Sequence, residues 1–308
     1  MATPSKSVPG EVSIPRASFR KVEADGVGIF YREAGPADGP VVLLLHGFPS
    51  SSHMFRELIP RLATRYRVIA PDLPSFGFTR VPEERDYKYS FAALARTVEA
   101  FVNALGLEHY ALYVFDYGAP VGYRLAVAHP ERVTAIVSQN GNAYEEGLGD
   151  SWTPIRRYWS TPSAENREAV RRNILTFEGT YFQYADGVPH PERIAPESHT
   201  LDAALLERPG VAEIQLDLFL DYASNVRLYP KFQAYFRECK PPLLAIWGKH
   251  DPFFIPPWCG GVPARQSERH SPNVGCRAFR SGNTCGGNCS GDAATSESIR
   301  PLIVQDNT

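Results

Sequence analysis

The chain lacks several features that would place it in a specialised class of protein. Among its 308 residues, no apolar run approaches the roughly 20 residues that a membrane-spanning helix needs. Its 32 basic and 34 acidic residues leave a net charge of -2, which gives no reason to expect nucleic acid or an anionic membrane surface as a partner. Residues 1–20 contain no apolar signal core. We therefore expect a cytoplasmic protein that acts on small molecules.

Cysteine is also scarce, and it is unevenly distributed. The chain has 5 cysteines, of which Cys259, Cys276, Cys285 and Cys289 all lie in the last part. Zinc sites usually pair cysteines at tight spacing, and only the last two of these are close to each other. Disulfides are rare in a cytoplasmic chain. We predict neither a metal site nor a cofactor.

Apolar, strand-like runs alternate with helical periodicity along most of the chain. This alternation predicts an α/β fold with a doubly wound, mostly parallel sheet. The runs lie at residues 40–45, 66–70, 112–115, 133–137 and 243–247, after a hairpin at 21–32 that turns at Asp25-Gly26. The alternation stops between about 142 and 230, where a mostly helical segment predicts a cap. The predicted organisation is an arm at 1–18, core at 19–141, cap at 142–230, core again at 231–257 and an aberrant, disordered tail at 258–308.

The most informative local feature is the turn at Asp116. An apolar strand ends there, and after Gly118 the chain continues as a helix. A sharp strand-to-helix turn holds its apex side chain above a helix N-terminus. Asp at this apex can attack carbon and form an ester with the enzyme, and the absence of Ser there argues against a serine esterase. Taken alone, Asp116 also fits an ordinary helix cap.

Four motifs together resemble the α/β-hydrolase family, in the branch that holds epoxide hydrolases and haloalkane dehalogenases. His-Gly-Phe-Pro at 46–49 resembles the oxyanion loop, and residues 75–79 resemble the loop that epoxide hydrolases carry. Asp116 matches the nucleophile position, and Trp-Gly-Lys-His-Asp at 247–251 resembles the strand end that supplies the triad acid. The resemblance covers about residues 20–257.

The resemblance implies a cofactor-free reaction in two steps. Asp116 would attack a small, apolar electrophile, and water activated by a His that Asp251 orients would hydrolyse the resulting ester. The backbone N–H groups of Phe48 and Tyr117 would form the oxyanion hole, with His46 and Gly47 supporting the loop.

The electrophile is either an epoxide or a haloalkane. Related dehalogenases usually carry Trp directly after the nucleophile, whereas this chain carries Tyr117, so we favour the epoxide. Cap tyrosines would protonate the opening epoxide oxygen, and cap tryptophans would donate to a halide. The candidate substrate-binding residues are Tyr144, Trp152, Tyr158, Trp159 and Tyr222, although each also fits simple packing within the cap.

The family pattern fails after Trp258. The expected last strand, catalytic His and closing helix are not visible there. A reading frame shifted by one nucleotide from the Trp258 codon permits a family-like sequence, including a Gly-His-Phe whose His codon falls across Ala278 and Phe279. We therefore hypothesise a frameshifted tail that lacks the triad His, the final strand and the helix. Ester hydrolysis would be impaired, and an inactive protein that binds a small ligand is the alternative.

Overall fold

An eight-stranded sheet forms the centre of the molecule. A computed structural model describes residues 14–186, 188–248 and 251–255, and the backbone of 275–279. The strand order is β1-β2-β4-β3-β5-β6-β7-β8. Strands β3 to β7 pair in parallel, whereas β1, β2 and β8 join antiparallel. The strands are β1 Ser18–Ala24, β2 Val27–Ala34, β3 Val41–Leu45, β4 Arg67–Pro71, β5 Tyr110–Phe115, β6 Val133–Gln139, β7 Leu243–Trp247 and β8 Gly275–Phe279.

Some helices connect the strands of the sheet, and others form the cap segment. The described residues contain helices α1 Leu58–Leu62, α2 Phe91–Ala104, α3 Gly118–Ala128, α4 Thr153–Ser160, α5 Ala164–Ile174, α6 Phe177–Ala185, α7 Pro196–Leu206, α8 Val211–Asp221 and α9 Ala223–Cys239. Helices α4 to α8 follow β6 and occupy the predicted cap segment. Helix α9 continues through Pro230, the predicted end of the cap. The predicted α/β fold class with a helical cap segment is confirmed.

The sheet separates two apolar cores, as the pattern of its central strands requires. In β3, Leu43 and Leu45 pack into one cluster, whereas Val42 and Leu44 pack into the other. Successive side chains of a strand point to opposite faces, so a strand buried on both sides reads as a continuous apolar run. Burial on both faces also explains why the apolar runs predicted the parallel strands well.

The carboxyl ends of four parallel strands bring the chemically interesting motifs to one edge of the sheet. His46 directly follows β3, Asp116 follows β5, Asn140 follows β6, and Asp251 lies shortly after β7. In open α/β sheets this edge is where ligands bind. The topology therefore brings together motifs that are widely separated in sequence.

The prediction that no strand follows Trp258 is wrong for residues 275–279. Their backbone pairs antiparallel with the whole of β7, from Leu243 opposite Phe279 to Trp247 opposite Gly275. The edge of β7 presents unpaired N–H and C=O groups that any extended segment can satisfy, whatever its side chains. Hydrophobic patterning therefore could not reveal this strand. The other tail predictions, including the cysteine alternative, concern residues outside the described part or side chains that are not described.

Candidate active site

The turn between β5 and α3 holds Asp116 in a left-handed conformation, with φ at 48°. Its Oδ1 atom accepts the backbone N–H of Tyr117 at 2.6 Å and that of Phe48 at 2.7 Å. An ordinary helix cap satisfies donors of its own helix, whereas Phe48 lies 68 residues away on another loop. The two N–H groups therefore form a hole around one carboxylate oxygen, which a simple cap would not require.

Two glycines permit the close approach of the loops at this turn. A Cβ atom on Gly47 would stand 2.3 Å from the Asp116 carboxylate oxygen, and one on Gly118 would stand 2.1 Å from the Leu45 carbonyl oxygen. Such distances are not compatible with any larger side chain unless the backbone moves. The two glycines thus allow the β3 loop to reach the elbow.

His46 supports this loop and is not available as a base. Its Nε2 accepts the Leu73 backbone N–H at 2.9 Å, so Nδ1 carries the proton and donates to the Gly47 carbonyl at 3.0 Å. The side chain is fully buried, and this burial lowers the pKa of the imidazole. The imidazole ring is therefore neutral, and both of its nitrogens help to hold the loop.

Asp251 is held by three donors near Asp116. Its Oδ1 accepts the N–H groups of Phe253 at 2.8 Å and Phe254 at 2.9 Å, and its Oδ2 accepts the Asn140 side-chain amide. Burial raises the pKa of Asp251, while these hydrogen bonds oppose the rise. No histidine of the described residues bonds to Asp251. The described residues therefore contain the predicted acid, but they contain no base that is paired with it.

Burial of the Asp116 carboxyl changes its acidity. Loss of hydration raises the pKa of Asp116 to about 7, against the lowering effect of the Phe48 and Tyr117 N–H groups, and the charge of Asp251 adds to the rise. Asp116 is only partly buried as a whole residue. Within the described residues both of its hydrogen bonds fall on Oδ1, so Oδ2 is the oxygen left for chemistry.

Aromatic rings enclose the space next to Asp116. Tyr117 packs against Phe48, Phe219 and Tyr222 with ring centroids 5.9–6.0 Å apart. The ring centroids of Trp152 and Tyr222 are 4.4 Å apart. Besides burial, which is the main cause, the negative charge of Asp116 raises the pKa of the Tyr222 phenol, so Tyr222 lies near that carboxylate. The surroundings favour a small, largely apolar ligand.

The polar groups of two other predicted substrate-binding residues have partners of their own. The indole N–H of Trp159 donates to the Phe219 carbonyl at 2.7 Å, and Arg167 donates to the Tyr158 hydroxyl at 2.8 Å. Tyr144 is 41% exposed. The Trp159 ring nevertheless packs with Trp152 and Tyr222, with centroids 5.6 Å and 6.1 Å apart. The structure therefore brings Trp152, Trp159 and Tyr222 into one ring cluster, whereas Arg167 binds the Tyr158 hydroxyl and Tyr144 is exposed.

The sequence patterns did not single out two further polar residues of the site, Tyr229 and Asn140. The Tyr229 hydroxyl lies 3.4 Å from that of Tyr222 and accepts the Asn142 side-chain amide at 3.3 Å. Asn140 follows β6 directly, and the rule that ligands bind at strand ends could have singled it out. Tyr229 had no such signal, because its proximity depends on the packing of α9.

Two features are absent from the described residues. No helix there combines the length and apolarity that crossing a membrane requires. No group of three or more His, Cys, Asp or Glu side chains in the same residues could hold a metal ion.

Comparisons with known proteins agree with this architecture. A family model described as the alpha/beta hydrolase fold matches residues 40–257. An uncharacterized hydrolase from Saccharomyces cerevisiae is 48% identical over 244 residues, which cover 77% of this chain and 83% of that protein. A haloalkane dehalogenase from Mycobacterium marinum is 39% identical over 112 residues, or 36% of this chain and 37% of the dehalogenase. A solved structure of a candidate epoxide hydrolase from Pseudomonas aeruginosa matches with a TM-score of 0.64 at 23% identity, and the match covers 84% of each chain.

Proposed function

The chain belongs to the α/β-hydrolase fold family, and we propose that within it Asp116 is a nucleophile that forms an alkyl ester with an epoxide. The observation that carries this proposal is the double N–H contact to one oxygen of Asp116. An oxygen held in such a hole is prepared to become the carbonyl oxygen of an ester and then the oxyanion of its hydrolysis. The second oxygen, Oδ2, is the attacking atom.

Ring opening needs a proton for the leaving oxygen. Oδ2 donates an electron pair to an epoxide carbon, the carbon–oxygen bond breaks, and its electron pair goes to the ring oxygen. Tyr222 is the proton donor that the structure supports best. The Asn142 amide donates to the Tyr229 oxygen, so the Tyr229 hydroxyl can donate to the Tyr222 oxygen. The Tyr222 hydroxyl can then donate its own proton to the ring oxygen. The paired hydroxyls are the reason to rank epoxides first.

A haloalkane is the second candidate substrate, because one observation favours it. The indole nitrogen of Trp152 is buried and has no hydrogen-bond partner among the described residues. A departing halide would supply the missing acceptor. In that reaction Oδ2 of Asp116 displaces the halide from carbon, and the halide leaves with the electron pair of the broken bond.

Hydrolysis of the ester is the step that we propose to be impaired. Water must lose a proton as it attacks the ester carbonyl, and the family mechanism assigns that proton to a histidine paired with the acid. Asp251 has three donors and no described histidine beside it. The shifted-frame interpretation of the tail explains this arrangement, so a trapped ester is the expected end point.

The test is incubation of the chain with an aliphatic epoxide or the matching bromoalkane, followed by intact-mass measurement and peptide mapping. An epoxide adds its whole mass to the protein, whereas a haloalkane adds the alkyl group without the halogen. Asp116→Asn serves as the unreactive control. A stable adduct on Asp116 supports the proposal, and rapid turnover would refute the impaired hydrolysis. The absence of any adduct from either substrate would support an inactive ligand-binding protein instead.

A further inference from the structure

Asp221 is a residue of the cap that binds the backbone of the core. It is the last residue of α8, and its Oδ2 accepts the backbone N–H of Phe91 at 2.7 Å. Phe91 is the first residue of core helix α2 and lies 130 residues earlier in the chain. This hydrogen bond therefore joins the end of a cap helix to the start of a core helix.

Helix α2 has an N-cap residue of its own, so the bond from Asp221 is additional. Ser90 occupies the N-cap position, and its side chain accepts the Ala93 N–H at 3.2 Å. The Phe91 N–H is another of the first donors that a helix cannot satisfy internally. A carboxylate at this place also interacts favourably with the positive end of the helix dipole. Asp221 therefore binds the core through a hydrogen bond that its charge strengthens.

A buried arginine connects Asp221 to the helix that follows the nucleophile. Arg124 lies on α3, which begins two residues after Asp116. Its Nη2 donates to the Ser224 hydroxyl at 3.4 Å, and that hydroxyl donates to Asp221 Oδ2 at 3.3 Å. Burial lowers the pKa of Arg124 to about 10, and the charge of Asp221 opposes this lowering. Asp221 is therefore connected to the core through α3 as well as through α2.

The residue that follows Asp221 is Tyr222, the proposed proton donor. Its backbone is held on both sides, because its N–H donates to the Leu218 carbonyl at 2.9 Å and its carbonyl accepts the Asn225 N–H at 2.8 Å. Its ring meets the Phe91 ring edge-on, with centroids 5.3 Å apart. Phe91 therefore contacts this part of the cap twice, with its backbone N–H at Asp221 and with its ring at Tyr222.

The Phe91 ring also connects Tyr222 to the elbow. Phe91 is fully buried, and its ring packs edge-on against the Tyr117 ring with centroids 4.8 Å apart. Tyr117 directly follows Asp116, and its ring centroid is 5.9 Å from that of Tyr222. The three rings therefore pack against one another beside the nucleophile. A movement of Asp221 away from Phe91 would displace the Tyr222 ring relative to Asp116.

We propose that Asp221 is a positioning residue that holds the Tyr222 phenol where it can protonate the opening epoxide oxygen. This role rests on the proposed function and deepens it. Asp221 acts through the end of α8 and needs no contact with the substrate. A displacement of about 1 Å at a reacting group can reduce a rate about 100-fold. Loss of Asp221 should therefore slow epoxide opening, which needs the proton, and spare halide displacement, which needs none.

The test compares the initial rates at which Asp116 forms an adduct with an aliphatic epoxide and with the matching bromoalkane. Tyr222→Phe should slow the epoxide reaction about 100-fold and change the bromoalkane reaction by less than about threefold. Asp221→Ala should slow the epoxide reaction about tenfold, with the same small effect on the bromoalkane reaction. Asp221→Asn keeps an acceptor for the Phe91 N–H and should stay within about threefold of wild type for both substrates.

Asp217→Ala is the matched control, because Asp217 lies one turn earlier on α8 and pairs with Arg167 of the cap at 2.8 Å. It should leave both rates within about a factor of two. In a chain that already carries Tyr222→Phe, Asp221→Ala should slow the epoxide reaction no further. An equal loss for both substrates would overturn the proposal, and so would an Asp221→Ala effect that persists without the Tyr222 hydroxyl.

A spectroscopic measurement separates the positioning from the chemistry. With 3-fluorotyrosine incorporated at position 222 of the full chain, fluorine NMR reports the surroundings of that ring. Asp221→Ala should shift or split its resonance, whereas Asp217→Ala should leave it in place. An unchanged resonance in Asp221→Ala would refute the positioning role, even if the rates change. A shifted resonance in a chain that forms no epoxide adduct would refute the proposed epoxide chemistry and support the positioning of this ring by Asp221.

Discussion

Replacement of Asp116 by Asn separates the shape of this side chain from its charge. The amide oxygen of Asn can still accept the N–H groups of Phe48 and Tyr117, so the elbow should keep its geometry. Only the ionisable group is lost. We expect Asp116→Asn to abolish adduct formation and to raise the stability of the folded chain in a manner that depends on pH.

The magnitude follows from the pKa of Asp116, which burial raises from 3.8 to about 7. A carboxyl whose pKa is raised on folding binds its proton more tightly in the folded state, so stability falls as pH rises between the two values. Three pKa units at about 1.4 kcal/mol each amount to roughly 4 kcal/mol, fully present above about pH 7. The variant should therefore be more stable by about 2 kcal/mol near pH 5 and by about 4 kcal/mol near pH 8.

Urea unfolding of both chains over this pH range measures the difference directly. Asp38→Asn, at an exposed aspartate, is the control for replacing a carboxylate elsewhere. A stability difference that stays constant with pH would show that Asp116 does not bind a proton more tightly in the folded chain. The electrostatic description of the site would then be wrong, even if the adduct forms.

Three other predictions concern neighbouring features of the site. Gly47→Ala places a Cβ atom 2.3 Å from the Asp116 carboxylate, so the initial rate of adduct formation should fall about 100-fold; a rate within a factor of two of wild type would contradict the close approach. Asn140→Ala removes one donor to buried Asp251 and should lower the free energy of unfolding by about 1–3 kcal/mol in urea; no change would argue that Asn140 does not hold this acid. A variant that carries the shifted-frame tail should hydrolyse the ester at least about 100-fold faster than the chain with the present tail, as single-turnover measurements would show. Imidazole added to the chain with the present tail serves as a comparison, and equal hydrolysis rates of the two chains would exclude a missing base.

Sequence patterns predicted the local elements well where burial is symmetric or strongly periodic. The apolar run at 243–247 coincides with β7, and Asp25-Gly26 forms the predicted hairpin turn with both φ angles positive. Such features depend on residues that are neighbours in the chain. Strand β8 was missed for the opposite reason, since its pairing depends on the free edge of β7.

The sequence by itself determined the α/β class, the helical character of the segment after β6 and the presence of a carboxylate at the β5 elbow, because each is encoded by periodicity or by a short motif. Only the tertiary structure decided which donors meet that carboxylate and which cap side chains come near it. Phe48 reaches Asp116 across 68 residues, and Asn140 reaches Asp251 across 111. Contacts between such distant residues arise when the parallel strands align their carboxyl ends and the cap packs over them, and no local pattern specifies that packing.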